Sequence, residues 1–205
     1  MQKVHCAAPA GVAVTVSARL HLGFLDLNGE FGRRFGSLGL SISEPRGRLT
    51  LRRASAARVD GVERERASRY LAKMQQREGL AGAYHLTIDE AIPPHAGLGS
   101  GTQLALGVAA ALRRLHGRAL DLPGDARLLD RGARSGVGIG LFETGGLVVD
   151  GGRAPTSVAP PRASTARSKR PVPPGARASG RPLSWARAWR PPSPRSRWRR
   201  WTTPQ

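Results

Sequence analysis

Cysteine is all but absent from this chain: Cys6 stands alone among 205 residues. That excludes an internal disulfide framework and a cysteine cage for a metal, and it fits a reducing compartment. Long apolar runs are missing as well. Ala7 to Val16 alternates with polar residues and leads straight into a strand pattern, so it does not read as a secretory signal, and no run reaches the roughly 20 apolar residues that span a bilayer. The expectation is a soluble, cytoplasmic protein without a membrane partner. Acidic residues stop early. All 14 lie at or before Asp150, whereas 13 of the 33 Lys and Arg residues lie from Arg153 onward, so the last stretch supplies +13 of the net +19.

That stretch, 153–205, also holds 11 of the 16 prolines and all four tryptophans, but only Val158, Val172 and Leu183 as aliphatic residues. Ordering it would cost roughly 50 to 100 kcal/mol of backbone entropy. Burying seven apolar side chains at about 1.5 to 3 kcal/mol each offsets only part of that. The composition predicts a folded domain over 1–152 followed by a disordered Arg/Pro/Trp-rich tail. Two origins of the tail are open. As a native arm its cations and tryptophans suit nucleic acid. Alternatively, Arg197-Trp198-Arg199-Arg200-Trp201 is what a GC-rich codon run for Ala-Leu-Ala-Ala-Leu gives when read one base late, which predicts a shifted frame beginning between Gly152 and Pro161.

The folded part shows clear periodicities. Val12, Val14, Val16, Ala18, Leu20, Leu22 and Phe24 alternate with a polar set that includes Arg19 and His21, the period of one long half-buried strand or a strand pair. Asn28-Gly29 signals a turn, Gly32 to Ile42 returns as a glycine-interrupted strand, and Leu49 to Leu51 pairs beside it. Val62 to Arg77 reads as a surface helix with Tyr70, Leu71 and Met74 inward and a Glu65/Arg69 pair outward. Tyr84 to Asp89 is strand-like. Asp125 to Arg134 predicts a further helix, Ser135 to Gly140 a flexible turn, and Leu147 to Val149 a strand. There is no internal repeat. Strands first and helices mixed with strands later predict an α+β layered fold rather than a regular βαβ array.

One segment carries more chemistry than the rest. Pro93-Pro94-His95-Ala96-Gly97-Leu98-Gly99-Ser100-Gly101-Thr102 lies between the Tyr84 strand and a helix in which Leu104, Val108, Leu112 and Leu115 mark one apolar face. The first turn of a helix offers unpaired N–H groups and roughly half a positive charge, and glycines let a phosphate approach the backbone. The loop has no lysine of the GxxxxGK[ST] type and no GxGxxG spacing, which sets those two nucleotide-binding classes aside. A structural turn capped by Ser100 or Thr102 is the alternative.

Three segments together resemble the GHMP superfamily, named for galacto-, homoserine, mevalonate and phosphomevalonate kinases. Pro93 followed three residues later by Gly97-Leu98-Gly99-Ser100 matches the superfamily loop, with Gly101 in place of its second serine. Ser17 to Asp26 stands where such proteins carry their first motif. Ser135-Gly136-Val137-Gly138-Ile139, running on to Gly145-Gly146, keeps the spacing of a later kinase motif, but Gly138 replaces its aspartate. The resemblance implies a GHMP-type N-terminal domain, a two-layer α/β sandwich like that of some ribosomal proteins. Through Arg19-Leu20-His21, Gly32-Arg33-Arg34-Phe35-Gly36, Pro93 to Gln103 and Arg134 to Gly152, the chain is most similar to a non-kinase branch, the β-ribofuranosylaminobenzene 5'-phosphate synthases.

That branch implies transfer of ribose 5-phosphate from phosphoribosyl pyrophosphate to a 4-amino- or 4-hydroxybenzoate, with loss of pyrophosphate and carbon dioxide, on the way to methanopterin-type cofactors. It also implies Mg²⁺ carried mainly by the phosphates, with the Ser100 hydroxyl as a protein contact. By the same resemblance Gly97, Leu98, Gly99, Ser100, Gly101 and Thr102 cradle phosphate, Arg33 and Arg34 clamp it, His21 and Arg19 form the catalytic strand face, and Ser135, Gly136 and Glu143 bind substrate. Each has a plainer alternative: Arg33, Arg34 and Glu143 as solvated surface, His21 as a satisfied strand histidine, His95 as a turn former. A small-molecule kinase using ATP would employ the same loop, and a basic RNA-binding module is a third class. The resemblance leaves a homodimer open. It also implies a second α+β domain beyond the region matched here, so activity of this chain alone is in doubt.

Overall fold

The computed structural model describes residues 10–27 and 33–153, and the backbone of 199–200. The predicted tail disorder, the nucleic-acid arm, the frame break and the Asn28-Gly29 turn lie outside the described residues, apart from the two-residue strand at 199–200.

The elements run β1 (Gly11–Asp26), β2 (Gly36–Ala54), β3 (Arg58–Gly61), α1 (Arg64–Glu78), β4 (Ala83–Glu90), α2 (Ser100–Leu115), α3 (Leu122–Leu128), α4 (Val137–Thr144), β5 (Leu147–Asp150) and β6 (Arg199–Arg200). They make one sheet in the order β3-β4-β2-β1-β6, with β5 pairing β2. All pairings are antiparallel except β3 with β4. The two return segments read from the sequence are one strand. β2 runs for 19 residues and pairs β1 along both halves, Gly11↔Arg52 to Ser17↔Arg46 and Ala18↔Ile42 to Asp26↔Gly36, with an irregularity between them.

The core lies between this sheet and α2. Val14, Leu49, Leu51 and Leu86 from the strands and Val108, Leu112 and Leu115 from α2 are essentially sealed from solvent. Gly107 lets the helix approach closely, since a Cβ there would meet Leu49 at 3.1 Å and Val16 at 3.3 Å. Burial on α2 extends well beyond the expected single face: Gln103 and every residue from Ala105 to Arg113 are buried. The reason is that α1 and α3 flank it while the sheet lies beneath. α1 turns Ala67, Tyr70, Leu71 and Met74 inward as expected. At its start Arg66 pairs with Glu63 at 3.1 Å, and no Glu65/Arg69 pair forms among the described residues.

The region after α2 departs from expectation in two places. The predicted Asp125 to Arg134 helix starts earlier and ends earlier, because Asp121 accepts a bond from Gly124 N at 3.0 Å and Pro123 stands in the first turn. Asp130 then takes a left-handed φ of 58° and ends it. The predicted turn at Ser135 to Gly140 is kept only as the Ser135-Gly136 lead-in, and Val137 to Gly140 form the first half of α4. Its glycines are contact points rather than hinges: a Cβ on Gly138 would meet Thr102 at 3.1 Å, and one on Gly140 would meet Val148 at 3.0 Å. The apolar set of β1 also divides. Val12 to Ala18 are buried, but Leu20 is 38%, Leu22 54% and Phe24 39% exposed. Beyond Ala18 the flank carrying Arg19 and His21 is the covered one. His21 pairs with Gly39, whose missing Cβ makes room for Val137 of α4.

Candidate functional site

Backbone geometry builds the loop before α2. Gly97 and Gly99 hold φ of 73° and 78°, and His95 reaches 60° although it has a side chain. Gly99 is the N-cap residue of α2, and no side chain caps the helix. The expectation that Ser100 or Thr102 caps it is therefore not met, and the Ser100 hydroxyl is left for other work. The amides of Thr102 and Gln103 both bond the Gly99 carbonyl at 3.1 Å. Thr102 is thus spent as an amide donor, while the Ser100 and Gly101 amides, at the head of the helix, keep the polarity that attracts an anion. Leu98 turns its side chain to the core, and His95 is exposed.

Strand β1 lies along this loop. Arg19 N donates to Leu98 O at 3.0 Å and Arg19 Nη1 to Gly97 O at 3.4 Å. A Cβ on Gly99 would meet the Arg19 side chain at 2.7 Å, so only glycine fits there with Arg19 in place. Arg19 Nε and His21 Nε2 are buried without a hydrogen-bond partner among the described residues. Orphaned buried donors are costly and call for an acceptor from outside the protein. Burial pulls Arg19 below its ordinary range, though a guanidinium stays charged. Burial likewise lowers His21, with Arg19 pressing in the same direction and Asp150 opposing it.

At the other wall, Asp150 anchors the start of α4. Its Oδ2 accepts from Gly136 N at 2.7 Å and from Ser37 Oγ at 3.3 Å, and its Oδ1 from Gly152 N at 3.0 Å. Ser135 Oγ lies 2.7 Å from Ser37 Oγ and accepts from Val137 N at 3.2 Å. Ser135 and Gly136 therefore shape the entrance to α4, while Glu143 is exposed near its far end. Arg33 does not present a free fork. Its Nε and Nη2 donate to Gly151 O at 2.6 Å and Gly152 O at 2.7 Å, and Arg34 pairs through its backbone with Arg153. Arg19, His21, the loop and Gly136 gather around one flank of β1, β2 and α4, whereas Arg33, Arg34 and Glu143 stand outside that group.

Several residues of the site went unread in the sequence. Asp150, the last acidic residue, has a faint signal in the Asp-Gly-Gly that follows β5. Phe35 has none. It adopts φ 63°, a rare conformation for a bulky side chain and one that concentrates at functional sites. Its ring packs edge-on to Phe24 at 6.0 Å, and Phe24 lies tilted against His21 with ring centroids 4.7 Å apart. Arg131 lies 3.2 Å from where a Gly101 Cβ would stand, which accounts for glycine in place of the superfamily's second serine. Among the described residues no group of three or more His, Cys, Asp or Glu side chains is placed to hold a metal, and no helix is long and apolar enough to cross a membrane.

Residues 65–146 match the family model for the GHMP kinases N terminal domain. The chain is 37% identical over 139 residues to the β-ribofuranosylphenol 5'-phosphate synthase of Archaeoglobus fulgidus, covering 67% of this chain and 44% of that protein. It is 33% identical over 170 residues to the synthase of the same name from Methanothermobacter thermautotrophicus, covering 78% and 52%. The chain thus spans about half the length of the curated relatives it matches. The phosphomevalonate kinase of Streptococcus pneumoniae has the same fold at 18% identity and a TM-score of 0.53, over 68% of this chain and 48% of that one. Over residues 65–146 the chain matches the GHMP kinases N terminal domain, and over part of their length it is similar to the β-ribofuranosylphenol 5'-phosphate synthases.

Proposed function

We propose that this chain is the phosphate-binding half of a synthase of the β-ribofuranosylphenol 5'-phosphate type, acting on phosphoribosyl pyrophosphate and a 4-hydroxy- or 4-aminobenzoate. The observation that carries the choice of synthase over kinase is Gly138. It occupies the position of the kinase aspartate, and a Cβ there would already meet Thr102 at 3.1 Å. With glycine at this position no carboxylate is offered, so proton abstraction from an alcohol at this point has no base. The carboxylate nearest the start of α4, Asp150, is committed to two backbone amides.

Transfer to an aromatic carbon asks for other things. The bond from the ribose anomeric carbon to pyrophosphate breaks, its electron pair leaves with pyrophosphate, and the new bond forms to the ring carbon that bears the carboxylate. Carbon dioxide then departs and its bonding pair restores the ring. The amides of Ser100 and Gly101 and the Arg19 guanidinium stabilise the leaving charge. His21 Nε2 is supplied with the hydrogen-bond partner it lacks among the described residues. The rings of Phe24 and Phe35 offer flat surfaces for the aromatic substrate, whose stacking is worth about 0.5 to 1.5 kcal/mol per pair. Mg²⁺, when bound, neutralises the phosphates. Among the described residues no carboxylate or histidine cluster is placed to cage the ion, and the Ser100 hydroxyl, which does not cap α2, is the protein group that would contact it.

Because the chain spans half of its relatives' length, ligand binding is the direct readout. Arg19→Gln and His21→Gln should each weaken phosphoribosyl pyrophosphate binding about tenfold by calorimetry, the loss of one charge-assisted bond, with thermal melting little changed. Unchanged affinity in both variants would sink the assignment.

A further inference from the structure

The loop between α3 and α4 and the residues that follow β5 enclose a cavity of about 530 Å³, a usual size for a small-molecule site. Four arginines line it: Arg127, Arg131, Arg134 and Arg153. Its two carboxylates are engaged elsewhere. Asp130 pairs with Lys73 Nζ at 2.9 Å, and Asp150 accepts from Gly136 and Gly152 amides. The four guanidiniums outnumber the two lining carboxylates, which leaves the cavity net positive. Among the described residues Arg127 and Arg134 bond no protein acceptor. Arg131 is held from behind by the Tyr70 hydroxyl and lies 5.6 Å over the Tyr70 ring, while its buried Nε has no partner.

Arg131 also links this cavity to the loop before α2, since its Nη1 is 3.2 Å from the would-be Gly101 Cβ. One guanidinium borders both places. We propose that the arginine cavity is a second anion site, distinct from the 97–102 loop, and that it takes the phosphate monoester of a phosphorylated pentose. It rests on the reading of the loop as the pyrophosphate seat: one donor molecule then spans both, its two charged ends about a pentose apart. The phosphate clamp expected of Arg33 and Arg34 moves to Arg127, Arg131, Arg134 and Arg153. Arginine forks suit a dianionic phosphate in several directions at once.

The test is calorimetry on the full chain with ribose 5-phosphate, inorganic pyrophosphate and 4-hydroxybenzoate as separate probes. Arg127→Gln/Arg134→Gln should weaken ribose 5-phosphate at least about tenfold and leave pyrophosphate within about twofold, as expected for lost charge-assisted bonds. Arg64→Gln/Arg69→Gln removes the same charge from α1 and should alter neither. Arg131→Gln should weaken both phosphate ligands. Ribose 5-phosphate affinity unchanged in the first variant overturns the proposal, as does a loss confined to 4-hydroxybenzoate, which would make the cavity an aryl carboxylate site. If wild type binds pyrophosphate but not ribose 5-phosphate, the cavity proposal falls and the loop reading stands. If it binds neither, both fall.

Discussion

His21 holds an imidazole nitrogen in the interior with nothing to bond, beside an arginine and within reach of a carboxylate. Its pKa lies below the ordinary 6.5, chiefly through burial, which favours the neutral ring over the imidazolium. The folded state resists protonation more than the unfolded one. Stability linked to His21 is therefore present above the unfolded pKa and declines as pH falls below about 6.5. An anion seated on the loop reverses the pressure, because negative charge favours the imidazolium. The His21 ring resonance, followed by NMR against pH, should titrate below the ordinary value in the free chain and at higher pH once pyrophosphate is added. An identical titration with and without pyrophosphate would place His21 away from the anion. Gly39 makes a second residue-scale case. A methyl there meets Val137, and Gly39→Ala should cost about 1 to 3 kcal/mol by overpacking. A chemical melt showing no loss would mean that α4 sits farther from the sheet.

Among the elements, α2 depends on a buried ionic network at its end. Arg113 is 7% exposed and forks onto Asp125, with 2.7 Å bonds from Nε and Nη2, while Asp125 is fully buried. Glu78 of α1 reaches the same guanidinium at 3.0 Å and is also met by Arg118. Three helices are thereby tied at one point. Asp125→Ala should destabilise the fold by about 3 kcal/mol, the low end for stranding a buried charge, because Glu78 still faces Arg113. Denaturant melts showing a loss under about 1 kcal/mol would contradict this. The Asp125 region also shows what the sequence makes legible. The 2.0 and 3.6 periods of β1, α1 and α2 come from burial on a fixed face, so Val12 to Ala18, Tyr70 to Met74 and Val108 to Leu115 could be read directly. α4 could not, because the glycines at 136, 138 and 140 serve close approach to Asp150, Thr102 and Val148 in turn, and contact between distant segments leaves no local period. The loop at 97–102 and the Arg19/His21 face were legible through spacing and resemblance. Asp150, Phe35 and Arg131 enter the site from remote parts of the chain, and only the folded register brings them together.

On the scale of the whole molecule, one part of the sheet face stays bare among the described residues. Register aligns Leu20 with Leu40 and Leu40 with Leu147, and these side chains are 38%, 37% and 61% exposed, with Val149 beside them at 65%. Such a row contributes little to the stability of the described domain. Leu147→Ser/Val149→Ser should therefore change unfolding free energy by no more than about 0.5 kcal/mol per site and reduce binding of a hydrophobic dye. A loss of several kcal/mol would show that the face is covered. The bare row, the arginine cavity and the glycine loop all lie in the part of the matched relatives' length that this chain spans, and on the proposed reading they frame a phosphate-binding domain. The most direct test is the ratio of dissociation constants for phosphoribosyl pyrophosphate and ATP, each measured with Mg²⁺ by calorimetry on the full chain. A phosphoribosyl pyrophosphate affinity at least about tenfold tighter, or 1.4 kcal/mol, is the predicted result, and a preference for ATP would contradict the account.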